Sequence, residues 1–226
     1  MSYNTGPKIV TDGLVLCLDA ADRNSYPGSG TYWGDLSGNS NGCTLTNGPT
    51  FSSNKNGLID LDGTNDYFVG TNNSSLQFTG DFTIAAFVKP DNAGNSSQGI
   101  FEKMITYYNG YGITKQGNQF KFWTASNNSF TYAATSTYTF SGNDWYYVLG
   151  KRISGTNYLY VNAEYKVSAS SPFSDSGEAY VIGRYYSNLN SYYFDGSIAC
   201  VQAYNRALSD SEITQNYNAT KGRFGL

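Results

Sequence analysis

Apolar and polar positions alternate along most of the chain, and the period of that alternation is two. From position 82 to 89, Phe82, Ile84, Ala86 and Val88 fall on one side, while Thr83, Ala85, Phe87 and Lys89 fall on the other. A period of two places successive side chains on opposite faces of a strand, so this run predicts one strongly apolar face and one mixed face. Further runs rich in aromatic and β-branched residues predict strands from Leu14 to Leu18, Leu58 to Leu61, Ile100 to Ile105, Gln119 to Thr124 and Trp145 to Arg152. Others extend from Tyr158 to Val161, Tyr180 to Arg184 and Ser197 to Tyr204. Asn47-Gly48, Asn56-Gly57, Asp62-Gly63 and Asn109-Gly110 supply the positive φ of tight reversals between antiparallel strands. The segments between runs are too short and too glycine-rich for the helices of a parallel βαβ architecture. An all-β sandwich of two antiparallel sheets is the fold class that follows.

One segment breaks the period. Ser209-Asp210-Ser211-Glu212 is a capping box, in which the Ser209 hydroxyl and the Glu212 carboxylate each satisfy an amide left free at a helix start. Leu208 and Ile213 occupy the two staple positions, and Asp210 places a negative charge in the first turn. A short C-terminal helix from about Asp210 to Asn218 is expected, with Gly222 beyond it as a stop. Asn92 to Gln98 reads as a mobile polar loop.

Length and composition change this picture little. At 226 residues the chain is long, yet all-β sandwiches reach this size around a single core, so one domain over 1–226 is expected, its core at about 11–218. Tyrosine is the leading aromatic, 21 against 13 Phe and 3 Trp, which suits half-buried strand positions with one dry and one wet end. A formal net charge of −3 without a basic cluster removes the electrostatic attraction on which nucleic-acid affinity depends, so no nucleic-acid partner is expected. No run approaches the ~20 apolar residues of a membrane span, and the N-terminus lacks the basic start and apolar stretch of a secretory signal. Synthesis in a host cytoplasm without membrane insertion is the resulting expectation. Cys17, Cys43 and Cys200 are widely spaced, and two of them lie in apolar runs, so they read as buried small hydrophobes.

The candidate chemistry is that of binding. With no histidine in the sequence, a histidine triad, zinc site or histidine general base is excluded. Tyrosines cluster where connections are expected: Tyr107, Tyr108 and Tyr111, then Tyr185, Tyr186, Tyr192 and Tyr193, with Trp123 near them in the pattern. A flat ring covers the apolar C–H face of a sugar while nearby amides and carboxylates, here Asn65 and Asp66, meet its hydroxyls. The same rings make low-entropy anchors in a protein interface, and tyrosines lining the sandwich itself are the competing structural account.

Several ordered segments carry a family resemblance. They are Leu58-Ile-Asp-Leu-Asp-Gly-Thr-Asn-Asp-Tyr-Phe, Phe82-Thr-Ile-Ala-Ala-Phe-Val-Lys-Pro, Gly99-Ile-Phe-Glu-Lys, Tyr158-Leu-Tyr-Val-Asn, and the stretch from Tyr193-Phe-Asp-Gly-Ser-Ile through Leu208-Ser-Asp-Ser-Glu-Ile. Together they resemble laminin-G-like domains of the concanavalin A-like lectin/glucanase type, and the resemblance implies an all-β, two-sheet antiparallel jelly-roll sandwich with one short C-terminal helix. The opening Asp12-Gly-Leu-Val-Leu-Cys-Leu-Asp-Ala-Ala, with Asp35-Leu-Ser-Gly-Asn and the ending Lys221-Gly-Arg-Phe-Gly, is similar to versions encoded by tailed bacteriophages.

The resemblance implies a non-catalytic virion protein, as capsid decoration, fibre or tail-associated module, whose partners are other virion proteins or a surface glycan. A homo-oligomer is compatible with such a role. A free-standing lectin-like carbohydrate-binding protein is the alternative, with a glycoside hydrolase behind it. Hydrolytic relatives carry paired carboxylates about 5 Å apart when retaining, whereas Glu102, Glu164, Glu178 and Glu212 stand far apart in this sequence. The resemblance also raises a structural calcium, for which Asp19, Asp22, Asp62 and Asp66 are the candidate ligands. Ala199 stands where the family's closing strand commonly has aspartate, so no cofactor is required and the metal ligands stay unassigned.

Overall fold

The computed structural model describes residues 7–91, 97–105, 109–134, 141–185 and 192–226. Its strands run, in chain order, β1 (Leu14–Asp19), β2 (Tyr32–Trp33), β3 (Cys43–Thr46), β4 (Thr50–Ser52), β5 (Leu58–Asp62), β6 (Tyr67–Val69), β7 (Phe82–Pro90) and β8 (Ser97–Ile105). They continue with β9 (Asn109–Gln116), β10 (Gln119–Ser126), β11 (Ser129–Ala134), β12 (Tyr146–Ile153), β13 (Thr156–Val161), β14 (Glu164–Ser170), β15 (Val181–Ile182) and β16 (Asp195–Tyr204), followed by helix α1 (Asp210–Thr220). One antiparallel sheet has the order β14-β13-β12-β7-β16-β5-β4, and β1 pairs with the other half of the same β16 edge. The second sheet has the order β11-β10-β9-β8-β15-β6-β3-β2.

The expected alternation builds the interior. Phe82, Ile84, Ala86 and Val88 of β7 point into the sandwich, where they meet Phe101, Tyr111, Ile113, Phe120 and Phe122 from the second sheet. Tyr111 lies 4.8 Å from Phe82 and 5.2 Å from Phe78, ring centre to ring centre. The sheets pack tightly at Gly150, where a β-carbon would lie 2.1 Å from the Phe122 ring. A buried polar layer closes one end: Arg152 donates to the Ser171 carbonyl at 2.9 Å, and Asn157 donates to Thr124 Oγ1 at 3.0 Å.

The mixed face of β7 is buried as well. Ala85 and Phe87, with Tyr147 and Leu149 of β12, form a second apolar cluster on the outside of the first sheet, beneath Leu208, Ile213 and Phe224. Helix α1 is therefore a third layer. It starts at Ser209, whose hydroxyl accepts from the Glu212 amide while the Glu212 carboxylate accepts from the Ser209 amide at 2.8 Å. It is held to the sheet by Lys151 and Tyr160, which both donate to Asp210 at 3.0 and 2.8 Å.

Several strands depart from the sequence expectation. β9 begins at Asn109, so Asn109-Gly110 is strand rather than turn, with Ala125 paired to Gly110. β3 and β6 are too short, and β14 too polar, to give the apolar run that marks a strand in sequence. Helix α1 reaches Thr220, and the chain continues as a short 3-10 turn over Lys221–Arg223 instead of stopping at a left-handed glycine. Gln98 lies in β8, and residues 92–96 of the expected polar loop fall outside the described residues. The three cysteines are buried and unpaired.

Candidate functional site

The outer face of the second sheet gathers Trp123, Tyr185 and Tyr192 from the residues predicted for binding. Register places Val69, Val181, Glu102, Gly112 and Trp123 in one row across β6, β15, β8, β9 and β10. Glycine at the middle of this row is required by space, because a β-carbon at 112 would sit 2.5 Å from Glu102 Oε2. Glu102 and Trp123 are completely buried, and Trp123 Nε1 donates to Glu102 Oε1 at 3.4 Å. Glu102 Oε2 has no hydrogen-bond partner. Burial pushes the Glu102 carboxyl well above the usual carboxylate range, and the Trp123 hydrogen bond opposes this only in part. Met104, Ala125 and Tyr185 pack with Trp123 into a small cluster on the same face.

This row is the floor, and its rim is aromatic. Tyr67 begins β6, next to the turn in which Asp62 Oδ1 accepts the amides of Thr64 and Asn65 at 2.8 and 3.2 Å. The Thr64 amide is the main reason that the Asp62 carboxyl lies below its ordinary value. Asp66 is buried; desolvation raises its carboxyl, and it accepts the Asp62 amide at 3.3 Å. The Arg184 guanidinium lies 4.1 Å from the centre of the Tyr67 ring, and Tyr193 lies 6.1 Å from the same ring, tilted by 43°. Arg184 and Tyr193 are paired by a β-bridge, which fixes the position of all three. Tyr192 stands beside them with 46% of its surface exposed, edge-on to Tyr185 at 6.0 Å. Its carbonyl accepts the amides of Gly99 and Tyr185 at 3.3 and 3.1 Å. Asn65 is exposed, and its carbonyl accepts from Asn47 Nδ2 at 2.9 Å.

The structure thus separates the predicted residues. Asn65, Tyr192 and Tyr193 reach solvent at one rim, Tyr185 is buried beneath it, and Asp66 is committed to the turn. Tyr111 lies inside the sandwich, donating to the Leu76 carbonyl at 3.0 Å, so no surface ligand reaches it. Trp123 is likewise sealed in the floor. Tyr107, Tyr108 and Tyr186 lie outside the described residues. Tyr67 and Arg184 were not singled out from the sequence. The available signal was the outward position of Tyr67, one residue before the inward Phe68, next to a turn.

The donor sets do not fit a metal. Among the described residues no group of three or more cysteine or carboxylate side chains is placed to hold an ion. Asp62 and Asp66 are spent on backbone amides, and Asp19 is engaged by the Ala21 amide and by Arg223. Ala199, where an aspartate was looked for, is buried in the outer cluster of the first sheet.

A family model described as the concanavalin A-like lectin/glucanases superfamily matches residues 62–214. No curated protein matches the chain in sequence. Solved structures similar to it include the binding domain of Paraclostridial Mosquitocidal Protein 1, at 18% identity and a TM-score of 0.74 over 92% of this chain and 52% of that one. The binding domain of botulinum neurotoxin DC in complex with SialylT has a TM-score of 0.74 at 14% identity, over 93% of this chain and 52% of that one. The chain therefore spans about half the length of these toxin domains. Domain 4 of an extracellular arabinanase from Geobacillus stearothermophilus, in complex with arabinotriose, is matched over 98% of its length and 90% of this chain, with 17% identity and a TM-score of 0.73. At these identities the likeness is one of fold.

Proposed function

Because the chain belongs to the concanavalin A-like lectin/glucanase superfamily, we propose that it is a non-catalytic carbohydrate-binding module whose ligand sits on the tyrosine rim of the second sheet. The observation that carries this reading is the Tyr67–Arg184–Tyr193 stack beside exposed Tyr192 and Asn65. Tyr193 and Tyr192 offer ring surface for the C–H face of a sugar, and Asn65 with the Asp62 turn offers hydrogen-bonding groups at the edge. The pre-stacked guanidinium holds Tyr67 in place, which lowers the ordering cost of binding. The likeness to an arabinanase domain in complex with arabinotriose, matched over 98% of its length, supports a neutral polysaccharide as ligand class.

A binding role without hydrolysis agrees with the carboxylates. Glu102 has burial and Trp123 as the causes of its shift, with no second carboxylate acting on it. Glu212 serves the helix cap, and Glu164 pairs with Lys166 at 2.8 Å. We propose further that the module sits on a phage particle, on the likeness of residues 12–21, 35–39 and 221–225 to phage-encoded versions; purified particles in which mass spectrometry finds no trace of this chain would remove that placement. The binding reading itself is tested by a polysaccharide array followed by calorimetry on the retained ligand. Tyr193→Ala and Tyr192→Ala should each weaken binding about tenfold, the loss of ~1.4 kcal/mol of ring contact. Unchanged affinity in both variants, or sugar release from the polymer, would overturn it.

A further inference from the structure

Four asparagines in the chain precede glycine: Asn41, Asn47, Asn56 and Asn109. Such a pair is open to self-modification, because glycine lacks the β-carbon that otherwise keeps its amide nitrogen away from the asparagine side chain. The nitrogen attacks Cγ, the new C–N bond closes a five-membered succinimide, and the side-chain nitrogen leaves as ammonia. Water then opens the ring to aspartate or isoaspartate. The step needs no oxidant and no cofactor. It needs a glycine amide that is not already donating, and room for the asparagine side chain to turn toward it.

The fold withholds one or both from three of the pairs. Asn41 is fully buried; its side-chain nitrogen donates to the Val15 carbonyl and to Ser75 Oγ, each at 2.7 Å, and its own carbonyl accepts from Tyr180. Asn56 is exposed, but the Gly57 amide donates to the Asn54 carbonyl at 2.9 Å, and Arg223 holds the Gly57 carbonyl at 2.9 Å. Asn109 Oδ1 accepts the Asn127 amide at 3.0 Å, and Gly110 is buried, paired with Met104 on one side and Ala125 on the other. Asn47-Gly48 differs from all three. Both residues are exposed, in the connection between β3 and β4, with φ of 68° and 113°. The Gly48 amide donates to no group among the described residues. Beyond its chain neighbours, the first atom that a β-carbon at 48 would meet is Asp66 Oδ1, at 3.9 Å. Among the described residues one surface hydrogen bond restrains the Asn47 side chain, from Nδ2 to the Asn65 carbonyl at 2.9 Å.

We infer that Asn47 is a spontaneous modification site of the folded protein, which cyclises through the Gly48 amide and opens to aspartate or isoaspartate, while the fold protects the other three pairs. Its position gives the modification a consequence, and this part rests on the carbohydrate-binding reading. The Asn65 carbonyl loses its donor. A new carboxylate then stands against the turn that holds Asp62 and Asp66, at the polar edge of the tyrosine rim.

The test is peptide mapping by mass spectrometry of the full chain held at mildly alkaline pH, once folded and once in urea. In urea all four pairs should gain the mass difference of an NH2 replaced by OH. In the folded chain Asn47 should react within about tenfold of its unfolded rate, and the other three at least about a hundredfold more slowly than theirs, since each must first open locally. Modification of the folded chain spread over the four pairs, or an Asn47 as protected as Asn41, would overturn the inference. Ion exchange separates the modified fraction by its added negative charge. Its affinity for the polysaccharide retained on the array should be roughly threefold lower, as for one lost positioning hydrogen bond. Equal affinity would overturn the link to the rim, and retention of no polysaccharide by either form would fail the function, whereas the peptide masses judge the modification by themselves.

Discussion

Glu102 shows how a single buried side chain makes stability depend on pH. Its folded carboxyl titrates well above the ordinary range because burial disfavours the anion. In the unfolded chain it ionises at the usual value, so between the two values the folded state binds more protons, and stability falls as pH rises. Below the unfolded value both states are protonated and the penalty vanishes. Glu102→Gln keeps an oxygen to accept from Trp123 and removes the ionisation. Urea midpoints measured from pH 5 to 8 should decline in the wild type and stay flatter in the variant, with the variant the more stable at pH 8; parallel curves would contradict the buried acid. Residues of this kind explain why the candidate site was only partly legible. Tyrosines at 111, 185 and 192 look alike in the sequence, and only the register, set by pairings far along the chain, sends the first into the core and the last to solvent. The same register brings Tyr67 to Arg184 across more than 100 positions, and no local pattern encodes that meeting.

At the scale of the element, helix α1 was the most legible feature because its signal is local. The capping box lies within four residues, and its structure has both reciprocal bonds. Ser209→Ala should cost about 1 kcal/mol, read as a drop in the urea midpoint at neutral pH. The cap is also acid-sensitive. Arg206, at 2.6 Å, is the largest cause holding the Glu212 carboxyl down at about 2. A depressed carboxyl contributes stability above its unfolded value and loses it as pH falls toward the folded one. Glu212 and Arg206 are only partly buried, so solvent screens the pair and the effect is modest. Helix signal lost between pH 4.5 and 2 in the wild type, but already reduced at pH 7 in Glu212→Gln, would confirm the link. Strands were legible in proportion to their apolar density: β7 and β12, central and buried on both faces, stood out, while the edge strand β14, Glu164–Ser170, did not. An edge strand has one partner and one wet side, so its residues carry less hydrophobic pattern. Gly150 in β12 marks the opposite extreme. Gly150→Ala would drive a methyl into Phe122 and should cost about 1–3 kcal/mol, as an overpacked core does.

At the scale of the whole molecule, the sequence pointed to two layers and the structure has a third, formed by the C-terminal helix and the turn after it. The end of the chain is structural. Phe224 stacks 4.9 Å from Phe87 and 4.3 Å from Trp145, while Arg223 ties the turn to Asp19 on β1 and to the carbonyls of Lys55 and Gly57. The last residues thereby join the start of the chain to the centre of the first sheet, across more than 200 positions. Phe224 is buried, and truncating a buried phenylalanine costs about 3–5 kcal/mol. A cost of that size is a large share of a domain's total stability, so Phe224→Ala should lower the thermal midpoint of the entire sandwich rather than fray its end. Trp145 offers the readout, because it is 8% exposed in the folded protein and loses its stacking partner in the variant. If the third layer folds with the other two, the tryptophan emission change and the loss of β-sheet circular dichroism will coincide on heating, both at a lower temperature than in the wild type. A tryptophan transition that precedes the sheet transition would instead show the C-terminal layer to be an independent unit.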